Sequence, residues 1–208
     1  GYAAVVYLRI VHEDNQISCS FICAKSKVAP LKRISIPRLE LCAAVLVSDL
    51  IHFVVHTLHD ELDFHNIFAW SDSTIVLSWI RSSPHRWKTF VSNRISRIHD
   101  NVEPSAWHHV STQDNPADCA SRGLSPSELI SQPIWFSGPS WLSTPTTSWP
   151  SHKIEIVSND VAKLVLSEQK IITLAAVSST NAFDALLYDK SSLRNIERIV
   201  AYVLRFVA

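Results

Sequence analysis

Two runs rich in β-branched and aromatic residues, 2–11 and 17–24, flank the polar stretch His12, Glu13, Asp14, Asn15 and Gln16. Strand formers on either side of a polar turn read as a β-hairpin. After a basic, proline-containing loop (25–33) the period changes. Leu39, Ala43, Leu46, Leu50 and Val54 recur at helical spacing, Ser35 and Pro37 mark a helix start, and no glycine interrupts before His59. A helix over about 37–59 with so broad an apolar stripe has to lie against a sheet over much of its surface. A hairpin followed by such a helix restricts the chain to layered α/β architectures.

Downstream, 66–71 reads as a short apolar strand, 73–81 and 87–99 as helices, 106–110 as another strand, and 117–122 as a helix opened by Pro116. The order β-β-α-β-α-α-β-α describes a mixed α/β domain over 1–124. From 125 to 150 the chain is dense in proline and tryptophan and reads as a linker. Residues 151–208 read as a connector, with a possible helix and an apolar run (172–177) within 153–178 and an amphipathic helix over 191–207. That last helix stops at an apolar face, so a further domain is expected to follow; a first residue other than Met points to a piece of a longer chain.

Composition removes several function classes. Three glycines in 208 residues, against a usual share of about 7%, and no G-x-x-x-x-G-K-[ST] or G-x-G-x-x-G run exclude glycine-rich phosphate cradles. Nineteen basic and nineteen acidic residues cancel, so neither a basic nucleic-acid mop nor an acidic tail is present. No uninterrupted apolar stretch of about 18 residues suggests a membrane span, and no leader pattern is visible. Cys19, Cys23, Cys42 and Cys119 lack C-x-x-C or metal-ligand spacing and read as reduced thiols. The expectation is an intracellular protein, in a cytoplasmic particle or the nucleus, with no membrane partner.

Three carboxylates stand where chemistry gathers. Glu40 lies near the start of an otherwise apolar helix, where an unpaired charge is costly. Asp72 directly follows an apolar strand, the end at which α/β folds collect functional groups. Asp118 sits just inside a helix start. Taken singly, Asp72 and Asp118 could be helix caps, and Glu40 could pair with Arg38 or Lys32.

Taken together, with the phrases PRLELCAA (37–44), WSDSTIVLSW (70–79) and WHHVSTQDNPADCASRG (107–123), they resemble the ribonuclease H region of Pao/BEL-type retrotransposon polyproteins. AKSKVAPLK (24–32) and IWFSGPSWL (134–142) extend the resemblance over about residues 1–142. It implies a ribonuclease H-like mixed sheet flanked by helices, and hydrolysis of the RNA strand of RNA–DNA hybrids during reverse transcription. Two Mg²⁺ ions, or Mn²⁺ in their place, would be held by carboxylates. Glu40 and Asp72 would serve the leaving-group metal, and Asp118 the metal carrying the attacking water. Reverse transcriptase and integrase regions of the same polyprotein become the expected partners, with the final segment leading toward an integrase zinc-binding region.

One departure matters. The family's first strand, which precedes the hairpin and carries an aspartate bridging both metals, has no counterpart here, so weak or absent activity is expected of this chain alone. His109 is a candidate auxiliary group for product release or proton shuttling, with packing against Trp107 as its ordinary role. Asp114 ranks behind Asp118. Lys32, Arg33 and Arg38 beside Glu40, and Arg86, Trp87 and Lys88 further on, are candidate substrate contacts. Two rival readings stand: a non-catalytic connector between reverse transcriptase and integrase, and an aspartic peptidase. Sequences of this family are also labelled Pao retrotransposon peptidases, but Thr74 occupies the position where Asp-[Ser/Thr]-Gly needs glycine.

Overall fold

The computed structural model describes residues 1–150, 159–171 and 192–207. They divide into two units, Gly1–Lys170 and Ile171–Ala208. In the first, β1 (Tyr2–Val11) and β2 (Ile17–Lys27) form the expected antiparallel hairpin. Its turn closes through His12 and Gln16, with Asn15 at φ 61°, a left-handed conformation that Asn tolerates better than most residues. The register between Val6 and Tyr7 skips Ile22, a β-bulge that re-aims the strand.

Helix α1 (Ile36–Leu58) follows, then β3 (Ala69–Ser71), α2 (Thr74–Ile80), α3 (Thr89–Asn101) and β4 (Trp107–His109). β3 and β4 pair in parallel. The core gathers where α1, α2 and α3 meet this pair: Leu41, Leu77, Ile80, Ile95, Ile98, Trp79, Trp87 and Trp107 are all sealed from solvent. Of the expected α1 stripe, Leu46 and Val54 are buried, while Leu41, Ala44 and Ile51 carry the rest of the helix's buried face.

Continuity of the sheet departs from expectation. Instead of one mixed sheet, the described residues form two separate pairs, β1–β2 and β3–β4. β1 and β3 each have a single strand neighbour, and a groove of about 1150 Å³ lies between them. Its floor is the apolar flank of α1, including Leu39, Ala43, Val47 and Ile51. With a mean hydropathy of 1.9, α1 is long and apolar enough to cross a membrane by length and composition. In this fold it packs against β1 and α3 and turns its remaining apolar flank to the groove.

The stretch 125–150, which composition assigns to a linker, is packed onto the hairpin. It contains α5 (Pro126–Ile130) and α6 (Pro133–Ser137) and lies within the first unit. The Tyr7 hydroxyl donates to the carbonyls of Ile134 (3.1 Å) and Trp135 (2.8 Å). Arg9 donates to the carbonyls of Leu142 and Thr144, both at 2.9 Å. Phe21 meets Trp135 and Phe136, and Trp149 closes against Phe68 and Trp70. Proline and tryptophan serve here as a folded cover whose aromatic rings find partners on the strands.

Part of the expected connector also docks. Helix α7 (Asn159–Ser167) belongs to the first unit. Val165 is buried in the core, and its carbonyl accepts the Trp79 indole N–H at 3.3 Å. The apolar run 172–177 lies outside the described residues. In the second unit the expected amphipathic helix is present as α8 (Leu193–Val207).

Tyr7→Phe removes only the hydroxyl that ties β1 to α6. We expect a loss of about 1 kcal/mol in urea unfolding, with faster amide exchange across 133–137. A free linker would leave both unchanged.

Candidate active site

Glu40 occupies the second turn of α1, and Asp72 follows the last residue of β3. Asp118 lies in α4 (Ala117–Arg122), whose entry is shaped by Asn115: its side-chain carbonyl accepts the Ala117 N–H at 3.1 Å. A parallel strand pair, a helix beside it and a late helix thus bring residues 32 and 46 positions apart in sequence to one place. All three side chains line the groove between β1 and β3, at its polar end.

Ser73 is the residue that sequence inspection weighed only as part of a peptidase motif. Its hydroxyl donates to Glu40 Oε2 at 2.6 Å and also accepts the Val76 N–H at 3.3 Å, capping α2. It therefore fixes Glu40 and starts the helix after Asp72 with one oxygen. Thr74 is the first residue of α2, so Asp72, Ser73 and Thr74 run straight into a helix. Asp118 receives Arg122 Nη2 at 2.8 Å across one helical turn. The i, i+4 spacing was visible in the sequence.

Burial is the main force raising the Glu40 carboxyl above its ordinary value; the Ser73 hydrogen bond opposes it and the charge of Asp72 adds to it. Burial likewise raises Asp118, with Arg122 opposing and Asp72 again adding. Asp72 is thus the shared neighbour whose charge acts on both. Carboxylates gathered this way repel one another, and a cation relieves the repulsion. The donor set, all hard oxygen, suits Mg²⁺. Among the described residues no group of three or more His, Cys, Asp or Glu side chains stands close enough to hold a metal ion. Glu40 is turned to Ser73 and Asp118 to Arg122, so the donors fit by chemistry while the ligand set is not closed.

The remaining candidates scatter. Asp114 is bound to Ser111 at 3.1 Å within its own turn. His109 ends β4, half-buried, in register with Ser71. Lys32 and Arg33 are exposed on the loop before α1. Arg38 is paired with Glu168 in a bidentate contact at 2.7 and 2.9 Å. Trp87 is buried in the core with Arg86 over its ring, and Lys88 donates to the Ser167 carbonyl. Nothing in the sequence marks the Arg38–Glu168 pair, which joins residues 130 positions apart.

Residues 1–73 match the family model described as the Pao retrotransposon-like RNaseH-like domain. Over this stretch the chain is similar to that family's RNase H-like domain. The match takes in the hairpin, α1, β3, Glu40, Asp72 and Ser73 and ends before Asp118. No curated protein and no solved structure matches the chain.

The raised carboxyls give a pH signature. Below the ordinary values of 4.5 for Glu40 and 3.8 for Asp118, both groups are protonated in folded and unfolded chains alike. As pH rises, the unfolded chain ionises first, so the folded state loses stability until the raised folded values are passed. Glu40→Gln should therefore gain stability over wild type progressively as pH rises above the ordinary value of 4.5, levelling off once the raised folded value is passed. Urea unfolding across pH measures this; a difference independent of pH would show that Glu40 is not destabilised by ionisation.

Proposed function

We propose that this RNase H-like region hydrolyses the RNA strand of RNA–DNA hybrids within a retrotransposon polyprotein that also carries reverse transcriptase and integrase regions. The observation that carries the reading is the convergence of Glu40, Asp72 and Asp118 on the polar end of one groove, with Asp72 acting electrostatically on the other two. Asp72→Asn would remove the shared charge.

In this reading Glu40, Asp72 and Asp118 hold Mg²⁺, which when bound supplies charge stabilisation for the phosphate and an acidified water. The chain's own residues prepare the site. Ser73 orients Glu40 by its hydroxyl, and the rigid start of α2 fixes the backbone beside Asp72. Arg122 keeps Asp118 neutralised, so ligation there exchanges one cationic partner for another. In the same reading His109, in register with Ser71 at the end of β4, serves as an auxiliary group that accepts or returns a proton.

The groove supports a further element of the same reading: one more strand between β1 and β3, carrying a fourth carboxylate. Among the described residues each flanking strand pairs with one other strand only, and an unpaired strand edge is normally paired or covered. The groove's apolar floor on α1 offers a strand a surface to bury.

The test uses a labelled RNA–DNA hybrid with Mg²⁺. We expect little or no cleavage by the 208-residue chain and clear cleavage once an upstream strand bearing an aspartate is joined to it. In the extended chain Asp72→Asn should lower the rate by about 100-fold or more. Robust cleavage by the chain alone would refute the incomplete site, and full activity of the Asp72 variant would refute the carboxylate assignment.

A further inference from the structure

The basic patch near the start of α1 is already occupied by a carboxylate of the same chain. Arg38 presents Nε and Nη2 to Glu168 Oε1 and Oε2 at 2.7 and 2.9 Å. Its guanidinium lies over the Phe90 ring at 4.7 Å, and Arg94 lies on the same ring at 3.5 Å. Around this pair the segment after α7 runs antiparallel to residues 86–88. Lys88 N–H donates to the Glu168 carbonyl at 2.8 Å, Lys170 N–H donates to the Arg86 carbonyl at 2.8 Å, and Trp87 bridges Gln169. The Lys88 ammonium donates to the Ser167 carbonyl at 2.7 Å.

Three features set this contact apart from ordinary packing. First, the fork-on-fork geometry that Arg38 gives Glu168 is the geometry arginine gives a phosphate. Second, α7 is anchored independently, because Val165 is buried and its carbonyl accepts the Trp79 indole. Glu168 lies beyond that anchor, so α7 can stay docked while 167–170 lifts. Third, a largely desolvated ion pair contributes little net stability, which leaves its position over a basic surface without a purely structural reason. The side chains of Arg38 and Glu168 keep 31% and 11% of their exposure, so an incoming anion can reach the guanidinium.

We infer that residues 167–170 form an intramolecular latch on a phosphate-binding surface made by Arg38, Arg86 and Lys88, and that a nucleic-acid backbone competes with Glu168 for it. The inference rests on the nucleic-acid reading above and adds its regulation. Binding then requires a phosphate to replace the Glu168 carboxylate on Arg38 and the short antiparallel contact to open. Whatever holds 167–170 in place or pulls it away sets the affinity of the domain for its substrate.

Glu168→Gln keeps the shape of the contact and removes its charge. In the 208-residue chain we expect it to tighten binding of a fluorescein-labelled RNA–DNA hybrid roughly fivefold to tenfold by anisotropy. The slope of log affinity against log salt should stay close to that of wild type, because Arg38 contacts a phosphate in both complexes, and should fall by about one unit in Arg38→Gln. Arg38→Gln on the Glu168→Gln background should abolish the gain in affinity. In the wild-type chain, saturating hybrid should speed exchange of the Lys88 and Lys170 amides. Unchanged affinity of Glu168→Gln at unchanged Tm would overturn the latch, as would amides that stay protected when hybrid is bound. Should the variant misfold, the exchange measurement on wild type decides alone. A latch that governs duplex DNA equally, in an extended chain that cuts no hybrid, would retain the latch and reject the nuclease. Hybrid cleavage with no effect at Glu168 would do the reverse.

Discussion

Everything in the first unit is arranged around covering one helix. α1 is apolar around much of its circumference, and no single neighbour can bury it. β1 takes one side and α3 another, while Arg97 of α3 donates to both oxygens of Asp49 at 2.8 and 3.0 Å at their margin. The third side is left to the groove. Glu40, Asp72 and Asp118 are among the residues that line that groove.

The same constraint explains the charge chemistry. Glu40 stands on α1 because its neighbours there exclude water, and exclusion raises its proton affinity. The Ser73 hydrogen bond favours the ionised form, while the nearby charge of Asp72 works with burial against it. Stability and chemistry are opposed at this point of the fold, a pattern expected of functional sites.

Local order was readable. The hairpin, α1, α2, α3 and β4 follow from strand propensity, helical period, Ser and Pro start signals and the absence of glycine, and the structure places them within a few residues of those patterns. The three carboxylates were nameable because each sits at the edge of such an element. The folded cover over 125–150 was not readable, because proline and tryptophan suit a linker and a packed aromatic cap equally well. What decides between them is Tyr7 and Arg9, more than 120 residues upstream, reaching the carbonyls of 134–144.

The amino-acid sequence by itself determined the element types, the order in which they follow, and the identity of the acids, since those depend on period, propensity and nearest neighbours. Only the tertiary structure decided that β3 pairs with β4, that Ser73 holds Glu40, and that Glu168 rests on Arg38. Each of these is a contact between residues distant along the chain. No local pattern encodes such a pair, because its energy exists only once the intervening chain has been folded and its loop entropy overcome.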